Sequence, residues 1–433
     1  MTGGQQAGGS RAKGGPGKGR RRKVAVILSG GGARGAYEVG VLSYVLDTFA
    51  GLRGGVPPID ILCGTSVGAV NACYLAAHLE DARQGMLRLV DMWTALRLPD
   101  VLGFGVSQAL SLPRVLFGGG STTTGVFDVT PMAKLIEREI AWRAIARTLR
   151  RGYLSSLCVS ATEVTTGRTV IFMQTGPNGT LPTTAPPRTV VRGALIGPPH
   201  ALASAAIPIL FPSVRIGREL FMDGGVRQNT PIAPALRLGA THVLAIGLSR
   251  EVRGVESGGE DARPPGAAFV LGKVLNAFLL DHVQNDIEVL TRVNNLLEDG
   301  QQVYGAEFLQ KVNALTDRRG DQPYRRIETM IVRPSEDIGR LAAAYVRSGK
   351  IRGGAAMARR LFTLVDVGEA TEADLASYLL FDGDFARKLI DLGHADAAAR
   401  RREFADFFGS AEDDAPPEAS AEGDVSRSPP TVG

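Results

Sequence analysis

Cysteine is scarce in this 433-residue chain, with only Cys63, Cys73 and Cys158. Three scattered thiols are too few for a disulfide framework or a structural zinc site. Each lies in an apolar stretch and is expected to be a buried free thiol, which suits a reducing cytoplasm. No uninterrupted apolar run approaches the ~20 residues that span a bilayer as a helix. No leader peptide is legible either, because the five apolar residues Val24–Leu28 run straight into Ser29-Gly30-Gly31-Gly32 without a cleavage pattern. The expectation is a soluble, cytoplasmic protein, at most peripheral to a membrane. Internal repeats are absent, and histidine is limited to five residues.

Charge is concentrated at the two ends. Residues 1–23 hold seven basic residues and no acid, whereas residues 409–433 hold six acids and one arginine. The chain between them is close to neutral, so the net charge of +5 does not mark it as a nucleic-acid binder. Gly, Ser and Lys dominate the basic end, which reads as a solvated disordered arm that could touch anionic lipid.

Hydrophobic residues make up 44% of the chain, enough for a sizeable core. Val24–Leu28 reads as a buried strand closed by glycines, and Ala36–Phe49 follows with Val39, Leu42, Leu46 and Phe49 on one helical face. Ile59–Cys63 is a second strand, and Val67–Leu79 a buried Ala-rich helix. This βαβα order predicts a mostly parallel sheet with flanking helices. Leu157–Val164 and Arg168–Gln174 read as a hairpin, and His242–Leu248 as another core strand. The domain expectation is a basic arm (1–23), a catalytic α/β domain (24–250), a linker (251–266), a helical extension (267–408) and an acidic tail (409–433). Within the extension, Ala267–Leu297 reads as a long helix striped by Leu271, Leu275, Phe278, Ile287, Leu290 and Leu297.

Two glycine motifs carry chemistry. Gly30-Gly31-Gly32-Ala33-Arg34-Gly35 sits between a strand and a helix, where backbone N–H groups and the helix dipole can hold an anion. Gly30, Gly32 and Gly35 also fit the dinucleotide fingerprint, but the second strand ends without the acid that reading needs, since Asp60 opens it. The other motif, Gly64-Thr65-Ser66-Val67-Gly68, has the G-x-S-x-G pattern of a nucleophile elbow at a strand-to-helix turn. Helix capping is the alternative role for Ser66.

A serine nucleophile needs a base. His78, His242, His282 and His394 lie in helices or beside a strand, and His200, beside prolines, is the one loop candidate. Asp223-Gly224-Gly225 is a better partner, because it follows the apolar Leu220-Phe221-Met222 on open backbone; a plain Asp-Gly turn is its alternative.

Together these segments resemble the patatin-like phospholipase family, with its G-G-G-x-R-G oxyanion loop, G-T-S-x-G elbow and D-G-G motif. Ala203–Pro212 is also similar to the family's segment before the aspartate. The resemblance covers about Val24 to Leu248. It implies a three-layer α/β sandwich with a helical C-terminal extension, and a Ser66–Asp223 dyad without histidine, metal or cofactor. It also implies an oxyanion hole in Gly30–Gly35 and a lipid ester substrate met at a membrane surface. Arg34 would fix the loop, stabilise negative charge or form a structural salt bridge. The expected activity is hydrolysis of phospholipid or lysophospholipid acyl esters; acyl transfer to an alcohol and a catalytically silent lipid-binding scaffold are the alternatives.

Overall fold

The computed structural model describes residues 22–103, 125, 127–177, 179–227, 230–250, 282–318, 323–351 and 374–409. Most of the basic arm, the linker, residues 267–281 with their Leu271, Leu275 and Phe278, and nearly all of the acidic tail lie outside them. No helix among the described residues is long and apolar enough to cross a membrane.

A nine-stranded sheet organises the chain. Its strands are β1 (Val24–Leu28), β2 (Ile61–Thr65), β3 (Ser156–Glu163), β4 (Thr169–Thr175), β5 (Thr189–Gly193), β6 (Val214–Ile216), β7 (Glu219–Asp223), β8 (His242–Ile246) and β9 (Glu328–Val332). The order is β5-β4-β3-β2-β1-β8-β9, with β7 beside β3 and β6 beside β7. From β3 to β9 every pairing along this path is parallel, whereas the β3–β4 hairpin is antiparallel.

The apolar runs of β1, β2 and β8 are continuous because both sheet faces are covered. Val24, Val26 and Leu28 face one core, whereas Ala25 and Ile27 face the other. The first core is closed by α1 (Ala36–Ser43), α2 (Val67–His78) and α3 (Ala82–Ala95), with α4 (Thr130–Glu139), α5 (Trp142–Arg150) and α6 (Pro198–Ser204). The second lies against α7 (Ile232–Arg237) and α8 (His282–Tyr304), where Leu290 is buried. The helix expected over Ala36–Phe49 continues past α1 as a π-helical stretch from Tyr44 to Phe49.

The C-terminal region is mostly helical: α9 (Phe308–Arg318), α10 (Ile338–Arg347), α11 (Asp374–Leu379), α12 (Gly383–Ala399) and α13 (Arg401–Phe408). It also supplies β9, which extends the sheet beside β8, a strand within the stretch read as helical. Tyr37 on α1 donates to Asp396 on α12 at 3.0 Å, and Phe404 and Phe408 pack on Phe49. The extension therefore shares the first core.

Candidate active site

The second parallel strand delivers Ser66 to the sheet's C-terminal edge. Ser66 stands between β2 and α2 with φ 54° and ψ −128°, a left-handed region that costs a non-glycine residue of order 1–3 kcal/mol. Its hydroxyl makes no capping bond to α2, so the capping role is not the one it plays here. The turn closes because residue 68 is glycine: a Cβ there would lie 2.6 Å from the Leu28 carbonyl. The Ser66 N–H donates to Ser204 Oγ at 2.9 Å, and that hydroxyl donates to the Ser160 carbonyl at 2.6 Å. Ser204 lies within Ala203–Pro212 and was not singled out as a site residue.

Strand register brings Asp223 to this serine. On β3, Ser160 is opposite Thr65 of β2, and the next residue, Ala161, is opposite Asp223 of β7. The two strands thus end against neighbouring positions of a third. Asp223 is fully buried; its Oδ1 accepts the Gly225 N–H at 2.7 Å, while Oδ2 has no hydrogen-bond partner. Burial pushes its pKa up to about 7, against the opposing pull of the Ser66 side chain and the Gly225 N–H. The Asp-Gly turn and the proximity to Ser66 coexist in one carboxylate.

The Gly30–Gly35 loop arrives from β1. Gly32–Gly35 forms a single 3-10 turn, so its first N–H groups have no partner inside the turn. Gly32 sits at φ +57°, and a Cβ on it would lie 2.3 Å from the Tyr378 carbonyl. Arg34 points away into the protein, only 3% exposed. Its Nε donates to Ser377 Oγ at 2.7 Å, its guanidinium pairs with Asp374 at 3.0 Å, and it stacks over the Tyr378 ring at 4.5 Å. Of the three roles open to Arg34 from sequence, the geometry is that of a structural ion pair. All of these partners come from α11, more than 300 residues downstream. The extension thus completes the back of the loop, which sequence reasoning missed.

A second unforeseen element is a buried polar chain. Glu38 on α1 is fully buried; its Oε1 accepts the Ser29 N–H at 2.6 Å and its Oε2 accepts Asn71 Nδ2 at 3.0 Å. Asn71, five residues past Ser66, also donates to the Gly35 carbonyl at 3.2 Å and accepts from Trp93 at 3.2 Å. Both ends of the glycine loop are thereby tied to the helix that follows the elbow. Burial raises the Glu38 carboxyl to about 8 despite these two donors. Glu38→Ala is expected to lose about 2–5 kcal/mol of stability, because it leaves two buried donors unpaired. Glu38→Gln, which keeps one acceptor, should lose less. Urea denaturation of both variants checks this, and equal losses would contradict it.

Ser66 and Gly32 open into a narrow cavity of about 60 Å³ lined by Val70, Trp93, Ile207, Phe211 and Phe381, among others, none of them ionisable. Among the described residues, no histidine borders it. His200 lies in the first turn of α6 rather than in a loop; its Nδ1 accepts from the Gly197 N–H, and its ring packs edge-on against Phe172. His78 bonds to the Tyr74 carbonyl and His394 to Thr48, and His242 bonds to Thr241. Among the described residues no group of three or more His, Cys, Asp or Glu is arranged to hold a metal. Cys63, Cys73 and Cys158 are free and buried, and burial raises the Cys63 and Cys73 thiols. Asp60 accepts the Val24 N–H at 2.8 Å, at the strand ends remote from the glycine loop.

Residues 26–236 match the family model described as patatin-like phospholipase. A "cGAMP-activated phospholipase" of Pseudomonas aeruginosa (strain BWHPSA011 / Pa011) is 29% identical over 206 residues, which are 48% of this chain and 53% of that protein. The chain thus spans about half the length of this curated relative. Among solved structures, human GIVD cytosolic phospholipase A2 in complex with methyl gamma-linolenyl fluorophosphonate aligns with a TM-score of 0.39 at 13% identity, over 89% of this chain and 58% of that one. VipD from Legionella pneumophila aligns with a TM-score of 0.31 at 14% identity, over 86% and 67%. The family match lies across the glycine loop, the elbow and Asp223, so residues 26–236 form a patatin-like phospholipase domain.

Proposed function

We propose that this protein hydrolyses fatty-acyl esters of phospholipids or lysophospholipids through an acyl-serine intermediate on Ser66, with Asp223 as the base. The observation that carries this reading is the register of β2 and β7 on β3, which ends the two strands against neighbouring positions of a third, one with the buried Asp223 carboxylate and the other with the strained Ser66. Asp223 takes the hydroxyl proton as Ser66 attacks the ester carbonyl. Backbone N–H groups at the start of the Gly32–Gly35 turn face the oxyanion, and one such donor is typically worth ~3–4 kcal/mol. The Ser66 N–H is engaged by Ser204 and does not serve as an oxyanion donor. The protonated carboxyl returns its proton to the leaving alkoxide, and water, activated by the same carboxylate, releases the acid. The apolar cavity beside Ser66 receives the start of the acyl chain. At about 60 Å³ it holds a few methylenes, so a longer chain extends beyond it.

Asp223 must be ionised to act as base. With its pKa near 7, kcat/KM on a soluble ester is expected to fall as pH drops through about 7 and to level off above it. A profile flat from pH 5 to 8 would contradict this assignment.

Turnover on phospholipids, lysophospholipids and neutral acylglycerols, with and without an alcohol acceptor, tests the substrate class. Free fatty acid from phospholipid or lysophospholipid supports the proposal. Acyl transfer to the alcohol in preference to water would favour a transacylase, and no turnover with no labelling of Ser66 a silent scaffold. Because the P. aeruginosa relative is activated by cGAMP, that nucleotide belongs in the same assays.

A further inference from the structure

Among the described residues, three that are not glycine have left-handed backbone: Ser66 (φ 54°), Arg188 (φ 62°) and Ile209 (φ 71°). All three lie at one end of the sheet. Ser66 follows β2, and β3 runs three residues past Ser160, the partner of Thr65, before residues 164–168 turn into β4. The Arg188 carbonyl accepts the Thr169 N–H at 3.0 Å, beside that turn. Ile209 stands between Ile207 and Phe211, which both line the cavity beside Ser66, and it is 50% exposed. A β-branched residue rarely adopts this conformation, and such strain clusters at functional positions.

This edge is also basic. From Glu163 to Arg227 the chain has six arginines and no lysine against three acids, Glu163, Glu219 and Asp223. Each acid is engaged: Glu163 accepts the Thr166 hydroxyl at 2.6 Å, Glu219 pairs with Arg192, and Asp223 is buried at the site. The other five arginines, Arg168, Arg188, Arg215, Arg218 and Arg227, are exposed. Among the described residues, none of their guanidinium groups pairs with a carboxylate. They converge on the end of β3. A Cβ on Gly167 would lie 3.6 Å from the Arg227 guanidinium, next to Arg168. The Val164 N–H donates to the Leu220 carbonyl at 2.8 Å, so the β6–β7 hairpin with Arg215 and Arg218 flanks the same turn.

We propose that this edge docks on an anionic lipid surface, with the arginines on headgroup phosphates and Ile209 entering the apolar layer beneath them. Arginine forks match phosphate oxygens. A cationic cluster together with an inserted apolar side chain supplies the two signals that peripheral binding uses. An exposed apolar tip among the cations suits a bilayer rather than a nucleic acid. Docked this way, the rim of the cavity beside Ser66 meets the bilayer. The purpose of the surface rests on the reading of Ser66 as a lipid ester nucleophile, but its test needs no turnover.

The test is flotation of the full chain with phosphatidylserine-containing vesicles and with pure phosphatidylcholine vesicles, in wild type and in Ser66→Ala, which leaves the lipid intact. Both proteins should bind the phosphatidylserine vesicles, and salt should weaken that binding. Arg168→Glu combined with Arg227→Glu should weaken it about tenfold or more. Ile209→Asn, which tolerates left-handed backbone, should fold as wild type by circular dichroism and bind about tenfold more weakly. Arg292→Glu makes the same charge change on α8, where the nearby Asn294 holds the Ile327 backbone at the other end of the sheet, and should bind as wild type. Arg218→Glu, on the exposed hairpin turn, decides the matter if the double variant fails to fold. The proposal is overturned if wild type does not float with phosphatidylserine vesicles, if it floats equally with phosphatidylcholine, or if the rim variants and Arg292→Glu float alike. Salt-sensitive flotation by a wild type that hydrolyses no ester would uphold the docking surface and count against the hydrolase reading alone.

Discussion

Replacing Asp223 by Asn is expected to reduce hydrolysis of a soluble ester by several orders of magnitude in a protein that folds normally. Asn keeps the size of the side chain and the bond from the Gly225 N–H but removes the charge that accepts the Ser66 proton. Ser66→Ala should fall by a similar factor, and the double variant should be no worse than either single one, because the two residues act as a unit. His200→Ala should retain most activity, since its ring is engaged with Gly197 and Phe172. Steady-state rates of the four variants on one soluble ester decide this. Near wild-type hydrolysis by Asp223→Asn would end the dyad account, and loss of activity in folded His200→Ala would move the base to histidine.

The same variant should gain stability. The folded-state pKa of Asp223 is raised to about 7 from 3.8, so the fold favours the neutral carboxyl. The wild type is thus most stable below pH 4 with respect to this group and loses that stability as pH rises to about 7. At pH 8 the cost amounts to as much as about 4 kcal/mol, which Asp223→Asn removes. Greater stability with lost activity is the signature of a functional charge; equal losses of both would indicate a packing role.

The second large effect concerns the glycine loop and the extension behind it. Gly32→Val forces a branched side chain into φ +57° and against the Tyr378 carbonyl. Loss of ester hydrolysis by at least 10²-fold is expected from displacement of the oxyanion donors. Asp374→Ala leaves the Arg34 guanidinium buried without its carboxylate, a loss of about 3–5 kcal/mol. Thermal melts and rates measured together check both. An Asp374→Ala protein with unchanged melting temperature and rate would show that α11 is merely adjacent to the loop.

The parts of this site legible in sequence are those that backbone sterics dictate. Gly68 must be glycine because a Cβ would strike the Leu28 carbonyl, and such constraints leave a fixed string at a fixed place between strand and helix. The strands are legible because burial on both faces makes residues 24–28 and 243–246 apolar throughout. Contacts between distant segments leave no local mark. Nothing around Arg34 points to Asp374 and Ser377, and β9 opens on Glu328 and Thr329 and carries only three apolar residues in a charged neighbourhood, too few to mark a buried strand. Glu38 and Asn71 did leave a signal: each is a polar residue in a helix buried nearly all round, where a solvent-facing role has no room. The 3.6-residue spacing of Val39, Leu42 and Leu46 drew attention to one face of α1 and away from Glu38.

The most direct measurement is the rate at which a fluorophosphonate attaches to Ser66, followed by intact mass and peptide mapping, in wild type, Asp223→Asn and His200→Ala. A single adduct on Ser66, formed at similar rates in wild type and His200→Ala and slowed by orders of magnitude in Asp223→Asn, is the predicted result. An adduct on another residue, or equal labelling of Ser66 with and without the Asp223 carboxylate, would contradict the claim that these two side chains form the catalytic pair.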